Sequence, residues 1–332
     1  MTYRNDELLD FLFSKVEQER RCLVPPDFAV QKALLRRVGE SVVSPMPGLF
    51  ARAGHWAKLD KAKRHGEIVR ALAFKHSDWV FCSFSAACLV GLEVSWKHLD
   101  VVHVCSSFRP TTRKARFVQR HRIEPRDVRA IGGVFVTEAL QTVADCLFSS
   151  GFADGMPIAD SALARLGYER EQLNFAVEGN GNGVNRRARE TARRVLQCAD
   201  ARAESGGESV ARAAMIEMGF APDHLQYELK DPFDGRRNMR CDYGWERMAK
   251  GLTLGELDGF VKYTNEDMLN GRTTAEALVD ERQREARLSV YGYPLVRFNM
   301  RDVRAPSVLA HKLQVAGVRQ SALPEWLGDI EL

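Results

Sequence analysis

The sequence lacks any apolar run that could cross a bilayer, since the stretch of about 20 apolar residues needed for a membrane-spanning helix occurs nowhere in its 332 residues. Its first residues, Met1 to Glu7, also lack the basic and then apolar layout of a signal peptide. We therefore expect a cytoplasmic protein that does not enter a membrane.

Cysteine is scarce and is not arranged in closely spaced pairs. The seven cysteines are an odd number and none belongs to a Cys-x-x-Cys motif, so the pattern fits neither a disulfide framework nor a zinc site. Cys82, Cys88, Cys146 and Cys198 are predicted to be buried and to act as small hydrophobic residues. A phosphate-binding loop is also missing, because no Gly-Lys-Ser/Thr follows the Gly- and Asn-rich run 178–183.

What the chain does contain is enough apolar material for a large core. Hydrophobic residues make up 45% of it, and a chain of this length should divide into two or three domains. The net charge of +4 permits nucleic acid as a partner but does not demand it. The position of the basic residues therefore carries more information than their number.

The pattern of residues 240–263 predicts a β-hairpin that carries carboxylates. Two short apolar or aromatic segments, 240–245 and 253–263, flank a polar stretch that ends in Gly251, as expected for a tight reversal. Asp242 lies on the first strand, and Glu256 and Asp258 share one face of the second, because strand side chains alternate with period two. Carboxylates that converge on one face repel one another, so this cluster favours a bound cation. The alternative is an exposed sheet face with ordinary charges.

Four motifs in this part of the chain carry a resemblance to a known family. They are Arg-x-Asp-aromatic-x-Trp at 240–245, Gly-Glu-Leu-Asp-Gly-x-x-Lys-Tyr at 255–263, the charged helical segment 280–288 and Gly-Tyr-Pro-Leu-Val-Arg-Phe at 292–298. Over residues 205–305 they resemble the C-terminal domain of actinobacterial proteins with a restriction-endonuclease-like fold. Those domains are relatives of the very-short-patch-repair endonucleases.

The resemblance implies a metal-dependent nuclease site. The signature of the fold is an Asp on one strand and then Asp or Glu, any residue and Lys on the next, which corresponds to Asp242 and Glu256. The third position holds Asp258 where the family has Lys, and Lys262 is the cation available to replace it. In the family an acidic residue on the first helix completes the metal site, which implies this role for Glu208. A Glu in a first helical turn is also what the helix dipole favours.

The implied cofactor is Mg²⁺ or Mn²⁺, because the predicted ligands are hard carboxylate oxygens without a His pair. The resemblance also places Arg284 and Arg297 at the cleft, where a planar guanidinium can stabilise the charged transition state of phosphodiester hydrolysis. An ion pair with Glu281 or Glu285 explains Arg284 equally well.

Two helices and a small hairpin are predicted at the N-terminus. Apolar spacing predicts helices over 5–20 and 28–38, and residues 42–52 are typical of two short strands around a Pro-x-Pro-Gly turn. This order resembles the winged helix-turn-helix of AbiEi antitoxins, in which the second helix enters the major groove and the wing touches phosphate. The candidate DNA contacts are Lys32, Arg36, Arg37 and Arg52. The alternative is a solvated basic helix face.

A dense run of basic residues follows between 109 and 129, with only Glu124 and Asp127 against it. Phe117 and Val118 interrupt the run as a strand would, so we expect it to lie along a β-hairpin. Such a stripe favours nucleic acid, which it would bind with a strong dependence on salt, and the alternative is a β-edge protected from aggregation by Lys and Arg. The predicted contacts are Arg113, Lys114, Arg116, Arg120 and Arg122.

The remaining pattern predicts further regular elements. They are helices over 61–75, 85–91, 138–148, 158–166, 185–203, 209–218 and 275–291, and strands over 79–82, 99–104, 134–137, 225–229 and 296–298. The segment around 136–163 resembles the later part of the AbiEi-like region. In that setting Thr137 is expected to cap a helix and Asp145 to satisfy a nearby donor.

Taken together, the sequence predicts an α/β (α+β) protein with a winged helix-turn-helix over 1–76, an α+β middle region over 77–204 and a restriction-endonuclease-like domain over 205–332. The predicted function is DNA binding with metal-dependent hydrolysis of phosphodiester bonds, in a defence or toxin–antitoxin context with a cognate toxin as a further partner. The alternative is a non-catalytic transcriptional regulator of the AbiEi type. RNA as the substrate stays open, because no residue pattern reads a base or a 2′-hydroxyl.

Overall fold

The structure, a computed structural model, describes residues 2–106, 116–125, 127–181, 183–247, 251–258 and 274–321. Helices and sheets are mixed throughout, which confirms the α/β class. The chain forms two compact units, Met1–Cys198 and Ala199–Leu332, and the finer division into three domains stays a prediction. None of the helices in the described ranges combines the length and the hydrophobicity that crossing a bilayer requires.

The first unit begins with the predicted helix, helix and hairpin. Asp27 caps the second helix by accepting a hydrogen bond from the Val30 amide, and Phe13, Leu34 and Phe50 join the elements in one buried cluster. This confirms the order of the elements. Their bounds are α1 (Thr2–Gln18), α2 (Phe28–Leu35), β1 (Val42–Met46) and β2 (Leu49–Arg52).

A five-stranded sheet forms the centre of the first unit, with strand order β5-β4-β3-β7-β6. Its core includes Val69, Phe81, Val104 and Val136. The elements are α3 (Ala53–Lys58), α4 (Lys61–Lys75), β3 (Val80–Phe81), α5 (Ser83–Leu89), a 3-10 turn (Trp96–Asp100), β4 (Val102–Cys105), β5 (Val118–His121), β6 (Val128–Ile131) and β7 (Val134–Thr137).

The expectation that the basic run forms one hairpin is wrong. β5 pairs in parallel with β4, and β6 pairs antiparallel with β7, so β5 and β6 lie at opposite edges of the sheet. The physical reason is that Phe117 and Val118 pack against the buried cluster that contains Val102 and Val104. Apolar burial therefore selects the partner of β5, and the run of charge does not.

Four helices complete the first unit: α6 (Ala139–Phe148), α7 (Phe152–Leu166), α8 (Arg170–Asn180) and α9 (Arg186–Cys198). Two expectations about α6 are wrong. Glu138, not Thr137, caps it by accepting from the Leu140 and Gln141 amides. Among the described residues, Asp145 Oδ2 is buried without a hydrogen-bond partner, so this carboxylate satisfies no donor there.

The cysteine prediction is correct at two of its four positions. Cys82 and Cys146 are buried, whereas Cys88 and Cys198 are only half-buried. Both half-buried residues lie near the end of a helix, where packing is less complete than in the middle of the sheet.

The second unit is a four-stranded sheet with order β11-β10-β9-β8 and helices packed on it. Tyr243, Trp245 and Phe298 lie in one cluster with Met215 and Leu309. The elements are α10 (Gly206–Glu217), β8 (His224–Lys230), β9 (Asn238–Arg247), β10 (Gly251–Asp258), α11 (Thr274–Ser289), β11 (Leu295–Asn299), α12 (Met300–Val303) and α13 (Pro306–Val315).

Candidate functional site

The predicted carboxylate hairpin is present as β9 and β10. The two strands pair antiparallel from Arg247 opposite Gly251 to Tyr243 opposite Gly255. One residue further on, the side chain of Asp242 is directed at β10, where its Oδ2 atom accepts a hydrogen bond of 2.8 Å from the Leu257 amide. A carboxylate thus serves as an acceptor for the β10 backbone at the point where the ladder between the two strands ends.

Glu256 is the buried carboxylate of the site, with 6% of its surface exposed. Arg284 of α11 donates a hydrogen bond to it and a second one, of 2.7 Å, to the Arg240 carbonyl. Burial raises the pKa of the neighbouring Cys241 thiol to about 12, and the charges of Glu256 and Asp242 add to the shift. Both carboxylates therefore act electrostatically on one thiol.

Arg297 of β11 joins two carboxylates that lie on the same face of β10. β11 runs parallel to β10 with Arg297 opposite Glu256. Its guanidinium lies 2.5 Å from Asp258 Oδ1, 2.9 Å from Glu285 Oε1 and 3.9 Å from Glu256 Oε2. This contact with both Glu256 and Asp258 confirms that these two side chains share a face, as the period of two predicts.

Glu208 lies on the first turn of α10 and is held by three donors. Its carboxylate accepts hydrogen bonds of 2.8 Å from Ser205 Oγ, 2.8 Å from Gln226 Nε2 and 3.0 Å from the Glu204 amide. Gln226 has a φ of +52°, a backbone conformation that is unfavourable for a residue with a Cβ atom. Sequence reasoning did not identify this strained residue, because no local pattern marks it.

The structure thus brings Glu256, Asp258, Arg284 and Arg297 into one connected network, with Asp242 beside it. In the ranges that the structure describes, no three His, Cys, Asp or Glu side chains form a group that could hold a metal ion. Lys262 lies outside the described residues. The metal ligation assigned to Glu208, Asp242, Glu256 and Asp258 stays a prediction.

Two further ion pairs at this site were not predicted. Arg240 Nη2 lies 2.5 Å from Glu204 Oε1, and Arg287 Nη1 lies 2.5 Å from the buried Asp231 Oδ2. Arg284 and Arg287 are three residues apart on α11 and so lie on one helix face. The positions of these pairs follow from the tertiary arrangement of α11 on the sheet, which local sequence does not encode.

The predicted DNA contacts of the N-terminal segment are of two kinds. Lys32 is exposed on α2, and Arg36 is exposed at the C-terminal cap of that helix. Arg37 pairs with Asp6 at 2.5 Å, and Arg52 pairs with Asp10 and Glu17 at 3.1 Å each. Arg37 and Arg52 therefore help to hold α1, which is a structural reason for their charge.

In the basic run, Arg116, Arg120 and Arg122 are exposed along or beside β5. Arg120 also lies over the Trp79 ring, with its guanidinium carbon 5.0 Å from the ring centroid. Arg113 and Lys114 lie outside the described residues. The three described arginines give one edge of the five-stranded sheet a positive charge.

Comparison with known proteins yields two relatives without an assigned activity. An uncharacterized protein of Mycobacterium tuberculosis strain CDC 1551 / Oshkosh is 27% identical over 253 residues, which are 75% of this chain and 84% of the relative. An uncharacterized protein of strain H37Rv matches with the same identity and coverage. No family model and no solved structure matches the chain.

Proposed function

We propose that this protein binds DNA and that its C-terminal unit is an endonuclease-like domain that hydrolyses phosphodiester bonds with a divalent metal ion. The observation that carries the proposal is the network on β9, β10 and β11, in which Glu256 and Asp258 meet Arg284 and Arg297 beside Asp242. The resemblance of this segment to restriction-endonuclease-like domains supports the same assignment.

The donor chemistry of the site fits Mg²⁺ or Mn²⁺. Its candidate ligands are carboxylate oxygens, which these hard cations prefer. Asp242 and Glu256 would hold the ion, with Glu208 and Asp258 as further direct or water-mediated ligands. When bound, such an ion supplies a water of lowered pKa and polarises the phosphoryl oxygen.

The side chains of the site have their own tasks in this proposal. Arg284 and Arg297 can each exchange a carboxylate for a phosphate oxygen, because a guanidinium binds both anions with the same planar fork. Asp242 fixes the β10 backbone through the Leu257 amide, which sets the position of Glu256. The exposed Lys32 and Arg36 of α2 would contact DNA in the manner of a winged helix-turn-helix, and a toxin–antitoxin role follows from the AbiEi-like part of the resemblance.

A plasmid cleavage assay tests the catalytic proposal. Supercoiled plasmid is incubated with the full chain in Mg²⁺, Mn²⁺ or EDTA, beside Asp242→Asn and Glu256→Gln. We expect nicking in either metal that both variants reduce by at least a hundredfold. These substitutions preserve side-chain shape and hydrogen-bonding capacity, so melting temperatures should show that the variants fold.

Glu246→Gln is the matched control for this assay. Glu246 lies on the same strand β9 but is exposed and pairs with His224 at 2.9 Å, so its loss should not change cleavage. Absence of cleavage in both metals, or cleavage by Asp242→Asn and Glu256→Gln at the wild-type rate, would refute the catalytic proposal.

The pairing of both β10 carboxylates with arginines favours a second function, that of a non-catalytic DNA-binding regulator. With Glu256 held by Arg284 and Asp258 by Arg297, the network is stable without a metal ion, and Asp258 occupies the position at which the nuclease family has Lys. A mobility-shift assay on the DNA upstream of the protein's own gene, in EDTA, tests this. Specific binding without any metal-dependent cleavage would support the regulator.

A further inference from the structure

The turn between β8 and β9, residues 231–237, presents an aromatic ring to solvent. Phe233 is 75% exposed, although the transfer of a phenyl ring out of water lowers the free energy. A single exposed apolar side chain is common on protein surfaces. The ring becomes a candidate contact only together with the basic side chains around it.

Hydrogen bonds give this turn one fixed shape. Asp231 is buried, and its Oδ1 atom accepts from the amides of Phe233 at 2.9 Å and Asp234 at 3.3 Å. The Asp231 amide donates to the Arg237 carbonyl, and the Arg237 amide donates to the Asp234 carbonyl, each at 2.9 Å. Together with the ion pair between Asp231 and Arg287, these bonds hold Phe233 outward before any partner arrives. A preformed contact loses little conformational entropy on binding.

Basic side chains flank the ring, and the acidic Asp234 lies between them and the ring in sequence. The side chains of Arg236 and Arg237 are 95% and 72% exposed, and each reaches Asp234 only at 3.4 Å. Ion pairs that are this exposed contribute little, so both guanidinium groups can turn to an anionic partner. Lys230 is exposed at the end of β8. An aromatic ring flanked by arginines fits a nucleic acid, which offers apolar base faces and phosphates together.

The turn is close to the candidate nuclease site. Arg284 binds Glu256 and Arg287 binds Asp231, and one helical face spaces these arginines by roughly 4.5 Å along the α11 axis. Along β9, the four residue steps from Asn238 to Asp242 span roughly 13 Å. A duplex that ran along β9 from Asp242 and Glu256 would therefore meet the turn after about four base pairs, at roughly 3.4 Å per base pair.

We propose that the β8–β9 turn enters a groove of duplex DNA, where Phe233 packs against the bases and Arg236 and Arg237 contact phosphates. This inference rests on the proposed DNA-binding function and adds a contact surface to it. The turn would position the duplex over the carboxylate network and would not take part in bond cleavage.

Fluorescence anisotropy in EDTA separates binding from cleavage. The full chain is titrated into a labelled duplex of mixed sequence at several salt concentrations, with Phe233→Ala, Phe233→Trp and Arg236→Gln/Arg237→Gln. We expect about tenfold weaker binding for Phe233→Ala and near-normal binding for Phe233→Trp. For the double Arg variant, the slope of log K against log salt should fall by about two. Phe175→Ala is the matched control, since Phe175 is 80% exposed on α8 of the other unit, and should bind normally.

The outcomes distinguish this inference from the proposal on which it rests. Wild-type chain that binds duplex DNA with no loss in Phe233→Ala overturns the turn contact but leaves DNA binding in place. Wild-type chain that binds no duplex overturns DNA binding itself, and preferential binding of single-stranded RNA of the same length overturns the duplex-groove contact. Melting temperatures within about 2 °C of wild type confirm that each variant is folded.

Discussion

Arg297 lies opposite Glu256 in the parallel pairing of β11 with β10, and its guanidinium also contacts Asp258 and Glu285. One arginine thus contacts three carboxylates, two on strand β10 and one on helix α11. Because these carboxylates repel one another without it, we expect Arg297 to stabilise this network and to compete with any cation for the carboxylates.

Arg297→Met should lower the free energy of unfolding of the second unit by about 1 kcal/mol, since Asp258 and Glu285, each 44% exposed, lose this partner while Glu256 keeps Arg284. The same variant should bind Mn²⁺ more tightly, seen as a larger rise in melting temperature with the metal than in wild type. Differential scanning fluorimetry with and without a large excess of Mn²⁺ measures both effects, because the stabilisation grows with the ratio of free metal to its dissociation constant.

Arg304→Met is the control for this prediction, because Arg304 is exposed at the end of α12. It should change neither the melting temperature nor the response to Mn²⁺. An Arg297→Met variant that melts at the wild-type temperature, and whose melting temperature does not change with Mn²⁺, would contradict the role given to Arg297.

The hairpin of β9 and β10 was predictable because its signal is local: apolar alternation, a polar turn and carboxylates at fixed spacing. Local patterns of apolar residues also located α4, α6 and β7. The parallel pairing that sets Arg297 opposite Glu256 was not predictable, since it depends on how α11 returns the chain to the sheet. The actual neighbours of β5 were missed for the same reason.

Other misses have local causes. The start of α7 was placed too late, because Pro157 lies inside the helix and proline normally marks a helix beginning or end. α8 runs to Asn180, into the Gly- and Asn-rich run 178–183, although glycine and asparagine are weak helix formers. Here the buried face formed by Leu173, Ala176 and Val177 outweighs the weak helix propensity of the last residues.

Gly255→Ala should destabilise the second unit by about 1–3 kcal/mol through overpacking. A Cβ atom at this position would lie 2.6 Å from Trp245 Cζ3 and 2.8 Å from Cη2. The indole cannot easily move, because its Nε1 atom donates to the Phe220 carbonyl at 2.9 Å. Gly235→Ala is the control, since its Cβ would meet nothing within 4 Å. Urea denaturation of both variants checks the difference. Equal free energies of unfolding for Gly255→Ala and Gly235→Ala would show that the Trp245 ring moves to make room for the Cβ atom.

Acid should destabilise the first unit through His65. Burial lowers the pKa of His65 to about 4, from an ordinary 6.5, and His65 is bonded to the Leu99 carbonyl and Ser85 Oγ. Between these pH values the unfolded chain binds a proton that the folded chain does not bind, so the free energy of unfolding falls as the pH falls. For one histidine the loss is roughly 1.5 kcal/mol between pH 6.5 and pH 5.

The variant His65→Gln tests this prediction, because glutamine can keep hydrogen bonds but cannot take up a proton. Its loss of stability between pH 7 and pH 5 should be smaller than that of wild type in urea denaturation followed by tryptophan fluorescence.

Asp145 acts in the opposite sense. Burial raises its pKa to about 7, so its protonated form stabilises the fold at low pH, and that contribution is lost as the pH rises toward 7. Asp145→Asn should therefore steepen the acid-induced loss, and an unchanged profile in both variants would contradict the assignment.

The basic residues of the N-terminal segment should separate into DNA contacts and structural residues. Lys32→Gln/Arg36→Gln removes two exposed charges, one on α2 and one at its C-terminal cap. The double variant should weaken DNA binding, reduce the salt slope by about two and leave the melting temperature unchanged.

Arg52→Gln should do the reverse, because Arg52 pairs with Asp10 and Glu17 of α1 and lies over the Phe13 ring. Its loss should lower the melting temperature by a few degrees with little change in the salt slope. Anisotropy at several salt concentrations and thermal denaturation of both variants decide the matter. A salt slope that falls in Arg52→Gln and not in the double variant would place the DNA contact on the hairpin of β1 and β2 instead of on α2.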